Sequence, residues 1–234
     1  MNKLNVLYED NHIIVALKKP NILSQSDITK DTDMLSLVKE YVKEKYNKSG
    51  NVYIGLVHRL DRPVGGIMVF ARTSKAAKRL NEQIKNHEFN KTYIAVLDGH
   101  LENKTGELTN YLYKDEKLKK SFVVNKTHDK AKLSKLEYEV IGYYKDKTIV
   151  KVNLITGRHH QIRIQFKNIG YPLLGDQLYG NKNKMQIKLF AYKLEFNHPT
   201  LKNKMTFKIL PKWEELENET IIHRLWWCYI RYYD

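Results

Sequence analysis

Apolar and polar positions along the chain divide it into short elements. The opening stretch NVLYEDNHIIVALKKP reads as two short strands around a turn at Glu9-Asp10-Asn11, with Pro20 stopping the second because proline cannot donate to a sheet ladder. From Asp33 onward, Met34, Leu37, Val38, Tyr41 and Val42 recur at helical spacing, so one stripe of a helix faces a core, and Asp31, Thr32 or Asp33 can cap it. After Gly55, a turn around Asp61 leads into GIMVFART, a segment of strand character. Thr73 or Ser74 then caps a helix carrying Ala76, Ala77, Leu80 and Ile84 on one face. Strands dominate from residue 91 on. KTYIAVLDG ends at Gly99, and KLEYEVIGYYKDKTIVKVNLITG alternates as a hairpin around Lys145-Asp146-Lys147.

Further along, HHQIRIQF alternates with period two. This predicts a strand with Ile162, Ile164 and Phe166 on one face and Gln161, Arg163 and Gln165 on the other. GYPLLGDQLYGNKNK, with three glycines and a proline, predicts a loop, and KLFAYKLEFNHP and KMTFKILP return to strand. Over residues 214–234, Leu216, Ile222, Leu225, Trp226, Tyr229, Ile230 and Tyr233 fall largely on one side of a helix. That predicts an aromatic amphipathic segment lying against something apolar. The chain shows no internal repeat and no low-complexity linker.

Composition adds a partner to this picture. At 234 residues and 42% hydrophobic content the chain can supply a proper core. Lys plus Arg number 41 against 26 Asp plus Glu, a formal charge of +15, which points to a polyanion, nucleic acid first; a lysine-rich surface without a specific partner is the competing explanation. Cys228 is the only cysteine, so no intramolecular disulfide and no thiolate cluster for zinc or iron–sulfur can form, which suits a reducing cytoplasm. The apolar run Ile13 to Ala16 is far short of a signal or membrane span, so no membrane partner is expected.

Two stretches carry candidate chemistry. GLVHRLDRPVGG, residues 55–66, sets Asp61 between Arg59 and Arg62 on a glycine-rich turn, and TGRHHQIRIQF holds Arg158, His159, His160, Gln161 and Arg163. His58, His159, His160, Asp61 and Asp176 could be imagined as metal ligands, but the four nearby arginines oppose a divalent cation, so no metal is expected. Arginine forks instead recognise phosphate. Asp61 would ion-pair with an arginine and remain a carboxylate at neutral pH, able to attack or take a proton but not to give one. As a mere turn brace it would be repelled by the polyanion it sits beside, unless the ligand's chemistry needs it.

HRLDRPVGGIMVFART, KTYIAVLDG, TGRHHQIRIQF and GYPLLGDQLYG, in that order and spacing, resemble the RluA-type family of RNA pseudouridine synthases. The opening VLYEDNHIIVALKKP is similar to that family's first strands, so the likeness covers about residues 4–211. The resemblance implies an α+β pseudouridine synthase fold: a bent, mostly antiparallel sheet flanked by helices, with a central active-site cleft. It implies isomerisation of uridine to pseudouridine in structured RNA, tRNA or rRNA, by breaking N1–C1′ and joining C5 to C1′, with no cofactor and no metal.

By the same resemblance Asp61 is the essential carboxylate, acting at C1′, on the base, or on the C2′ proton. Arg163 matches the arginine that ion-pairs with it, and Tyr93 the tyrosine that packs on the target base. Arg59 matches a side chain that fills the space of the extruded uridine, and Arg62, Arg158, His159 and Gln161 contact RNA backbone or pocket. One carboxylate can suffice, because the uracil leaves as a delocalised anion that stays bound and recombines, whereas a retaining glycosidase needs a second acid. Val64-Gly65-Gly66 stand where many members have Thr-Ser-Gly, which loses two hydroxyls. A likeness beginning within the first ten residues leads to the expectation of a catalytic domain over 1–213 without an N-terminal S4-like module, acting as a cytoplasmic monomer. The alternatives are a catalytically silent RNA-binding protein of this fold and a single-carboxylate glycosidase or nucleosidase.

Overall fold

The computed structural model describes residues 4–29, 31–181 and 184–226. The first elements are β1 (Asn5–Glu9), β2 (Ile13–Lys18), α1 (Met34–Lys45), β3 (Gly55–Leu56), β4 (Gly65–Ala71) and α2 (Ser74–Lys85). They are followed by β5 (Asn90–Asp98), β6 (Thr105–Asp115), β7 (Lys120–Val124), β8 (Lys132–Tyr144), β9 (Lys147–Leu154) and α3 (Gln161–Asn168). The chain continues through β10 (Leu189–Asn197), β11 (Lys204–Lys208), a 3-10 turn (Glu214–Leu216) and α4 (Glu219–Trp226). Two units divide the chain: Met1–Lys91 with Phe190–Ile209, and Thr92–Leu189 with Leu210–Asp234. The expected α+β class with mostly antiparallel pairing is borne out; β4 and β10 pair parallel.

In the first unit β1, β2 and β4 pair antiparallel in that order, β3 pairs β4, and β11 pairs β10. The β1–β2 turn falls where the sequence predicts it. Asp10 Oδ1 accepts from the N–H of His12 (2.7 Å) and Ile13 (2.8 Å), satisfying two donors the turn would otherwise strand. One face of β2, β4 and β10, carrying Val15, Ile67, Val69, Leu194 and Phe196, packs with Ala76 and Leu80 of α2 into a buried cluster. Thr73 caps α2 by accepting from Ala76 N–H (3.1 Å), one of the two residues expected there. Gln83, buried on the same helix, exchanges two 2.8 Å hydrogen bonds with the backbone of Asn197 and so ties α2 to the end of β10. Asp33 caps α1, whose buried stripe is Met34, Val38 and Val42.

Gly66 explains the glycine pair at the start of β4. Its φ is +142°, and a Cβ would stand 2.5 Å from the carbonyl oxygen of Ala191 on the parallel partner strand. Only glycine allows both the backbone angle and the approach.

The second unit is an antiparallel series β5–β9–β8–β6–β7. The hairpin of β8 and β9 turns at Lys145-Asp146 as expected. HHQIRIQF corrects the sequence reading: it is not a strand but contains α3, and Gln161 through Phe166 are all buried. The period-two pattern misleads because its polar members are also inside, each with a partner. Gln165 donates to Leu108 O and to Asn110 Oδ1, both at 2.9 Å, and Gln161 and Arg163 are held as described below.

At the C-terminus the predicted helix is α4, preceded by the short 3-10 turn. Leu216 and Leu225 are buried as expected, but Ile221 rather than Ile222 completes the buried side. Ile221 sits over Gly142 at a bulge in β8, where an added Cβ would be 2.7 Å from its side chain. Tyr229, Ile230 and Tyr233 lie outside the described residues. Among the described residues no helix is long and apolar enough to cross a membrane.

Candidate active site

In the first unit, residues 57–64 form the loop between β3 and β4. Val57, His58, Leu60 and Val64 point into the core, Arg59 and Arg62 are exposed, and Asp61 is half-buried between them. Three side chains that sequence reasoning gave no catalytic part hold this loop. Ser24 Oγ donates to Leu60 O (2.8 Å) and accepts from Leu60 N–H (3.0 Å). His58 Nε2 accepts from the N–H of Val69 in β4 (3.1 Å) and so braces the loop against that strand. Burial pushes His58 down to about 3, with the charge of Lys91 acting in the same direction, so its ring is neutral at physiological pH.

Lys18, at the end of β2 and fully buried, is the third. Its Nζ donates to the carbonyls of Ile22 (2.6 Å), Arg62 (3.0 Å) and Lys19 (3.2 Å), fastening the chain just after Asp61. Burial lowers its pKa to about 7; the negative charge of Asp61 pulls it up and the positive charge of Arg62 pushes it down. The carbonyl of Asp61 accepts from Val64 N–H (3.0 Å) to close a turn, and Asn21 N–H bonds to Arg62 O (2.8 Å). Arg62 itself forms an exposed ion pair with Asp31 at 2.8 Å. Asp61 is thus presented on a backbone fixed from several sides, near enough to the Lys18 amine for its charge to raise that group's pKa, and with guanidinium groups to either side in sequence.

The remaining candidates belong to the second unit. Tyr93 is 6% exposed, opposite Val152 in the β5–β9 ladder. Arg163, the third residue of α3, makes a bidentate pair with Asp176, with Nε and an Nη each 2.7 Å from a carboxylate oxygen. Both are buried. Burial raises the Asp176 carboxyl, but Arg163 and the N–H groups of Leu178 and Tyr179 outweigh it and hold the net pKa below the ordinary value. Gln161 is also buried. Its Oε1 accepts from Thr156 Oγ1 (2.8 Å) and Arg158 N–H (3.0 Å), and its Nε2 donates to Lys135 O (3.1 Å). Arg158 is exposed and donates through Nε to Leu133 O (3.0 Å), while His159 lies against Ser121 Oγ, 2.9 Å from Nδ1, and stacks on His160.

Within its own unit each group of motif residues is therefore gathered: Arg59, Asp61 and Arg62 on one pinned loop, and Arg158, His159, Gln161 and Arg163 around the start of α3. This loop and this helix start, set on a mixed sheet with helices, define a class of protein, and the chain's sequence gives the same one. Residues 12–168 match the model of the RNA pseudouridylate synthase family, and the chain belongs to that family.

More particular likenesses follow. The chain is 31% identical to the dual-specificity RNA pseudouridine synthase RluA of Salmonella typhi over 214 residues, covering 88% of this chain and 92% of that protein. It is 30% identical to the ribosomal large subunit pseudouridine synthase D of Borreliella burgdorferi over 200 residues, covering 82% of this chain and 60% of the relative. In fold it is similar to human RNA pseudouridylate synthase domain containing 4, with a TM-score of 0.74 at 19% identity, covering 94% and 92% of the two chains.

Proposed function

We propose that this chain isomerises uridine to pseudouridine within structured RNA, tRNA or rRNA, acting as a cytoplasmic monomer without a cofactor. The observation that carries the reading is the pinned loop, which holds a single carboxylate half-buried between exposed arginines in a family of RNA pseudouridylate synthases. Asp61 attacks C1′ or the base, or takes the C2′ proton. The N1–C1′ bond breaks, uracil turns in place, C5 joins C1′, and the proton displaced from C5 is balanced by one gained at N1. Tyr93 packs on the base and Arg163 supports the carboxylate chemistry.

Arg59, Arg62, Arg158 and His159 contact the RNA, offsetting the few kcal/mol, roughly, that extruding a stacked uridine costs. Gln161, with its amide committed to Thr156, Arg158 and Lys135, serves by fixing the backbone beneath Arg158.

Release of tritium from RNA carrying C5-tritiated uridine tests the reading, because isomerisation loses that hydrogen and leaves the strand intact. The parent is expected to release it, and Asp61→Asn to abolish release while RNA affinity stays within about twofold, since the substitution removes charge but no phosphate contact. Tritium release by Asp61→Asn at the parent rate would remove the assignment. Free uracil instead of pseudouridine would make the enzyme a glycosidase.

A further inference from the structure

In the second unit, β6, β7 and the start of β8 have two differently built faces. Asn110 bonds to Gln165 of α3 and Ser121 to His159, so these positions face α3. Alternation then turns Tyr111, Tyr113, Phe122, Val124 and Leu133 to the opposite side. The register sets Tyr113 directly across from Phe122, and Tyr111 across from Val124 on one strand and Leu133 on the other. Phe122 is 39% and Leu133 45% exposed, and the ring of His128 lies 4.6 Å from that of Tyr113.

Residues 114–135, fewer than a tenth of the chain, contain eight lysines against three acidic residues, so they hold a third of its net charge of +15. Lys114 and Lys135 pair with Glu116 and Glu107. Lys117, Lys119, Lys126, Lys130 and Lys132 are exposed and form no ion pair among the described residues. Lysines beside an edge strand such as β7 also deter another strand from adding to it. That purpose calls for charge alone, and a cross-strand aromatic pair with Phe122 open to water and Tyr113 half-exposed works against it. Aromatic faces interleaved with cations instead match what bases and phosphates need, since bases of any sequence stack on rings while lysines follow the backbone.

We propose that this face is an RNA-contact surface for an unpaired stretch of the substrate, with bases stacking on Phe122 and Tyr113 and phosphates held by the lysines. It rests on the reading of the chain as an enzyme acting on RNA, and uses residues that the chemistry at Asp61 does not.

The test compares the full chain with Phe122→Leu, Phe122→Trp and the double variant Lys117→Glu/Lys119→Glu. The probes are fluorescent oligouridine and blunt duplex RNA of equal length. Phe122→Leu keeps an apolar side chain on the hairpin, and thermal melting followed by circular dichroism verifies that it folds. It is expected to weaken oligouridine binding about tenfold and duplex binding less than about twofold, with Phe122→Trp restoring the parent value. The double lysine variant is expected to reduce the slope of log affinity against log salt by about 1.5 or more. In tritium release, Phe122→Leu is expected to raise KM and leave kcat unchanged.

Parent-like oligouridine binding by Phe122→Leu, or an equal loss on both RNAs, would overturn the surface. So would lysine variants with unaltered RNA affinity, the result expected of a face built for an acidic protein. A parent that binds oligouridine through Phe122 yet releases no tritium would remove the isomerase reading and leave the surface standing. Normal turnover with a KM indifferent to Phe122 would do the reverse.

Discussion

Lys18 shows most plainly how a side chain outside the chemistry can govern it. An ammonium has three donors and a neutral amine two, so the three carbonyls around Nζ are all served only by the charged form, which burial opposes. Its folded pKa of about 7 lies below the 10.5 of the free side chain. Below pH 7 both folded and unfolded chains carry this proton, and the folded state bears the full desolvation cost. Between pH 7 and 10.5 the unfolded chain holds the proton more tightly, so this group makes stability rise with pH across that window. Urea unfolding at pH 7 and pH 9.5 is expected to show the rise in the parent and a smaller one in Lys18→Met. An identical rise in both would show that another group causes it.

At this scale the sequence was legible where a residue type has one use and obscure where its use depends on a distant partner. Asp61 among arginines stood out, whereas Asp176 drew notice only as an imagined metal ligand. Its real partner is Arg163, thirteen positions away through a loop with no periodicity to read.

Among the elements, β4 was legible from its unbroken apolar run, since every one of its positions is buried, and α2 from its spacing and cap, because one side of that helix meets the core and the pattern records it. α3 was not, since nearly every position is buried and polar and apolar side chains alike face protein, which leaves a helix with no contrast to mark its period. Two anchors of the Asp61 loop were equally silent, as hydrogen bonds from Ser24 and Lys18 to backbone carbonyls leave no pattern in the chain. Gly66 offers a test of how tightly β4 and β10 must approach. Gly66→Ala is expected to cost about 3 kcal/mol or more, since the added methyl meets backbone at 2.5 Å and the φ is one that alanine avoids. A chemical denaturation midpoint equal to the parent's would show that the strands can part at no cost.

For the molecule as a whole, charge decides behaviour at a distance. With +15 to place against a polyanion, RNA affinity is expected to fall by roughly a thousandfold between about 50 and 200 mM salt, measured by filter binding. A flat response would argue against phosphate contacts as the main attraction. The discontinuity of the first unit has a further consequence, for biosynthesis. Its sheet joins Gly65 and Gly66 to Phe190 and Ala191, so the ribosome must translate the whole intervening stretch before the strand behind Asp61 can acquire that neighbour. Completion of the sheet where the aspartate's loop runs into β4 is thereby a late event, and a polypeptide released early, however intact its first ninety residues, lacks the strand that pairs there.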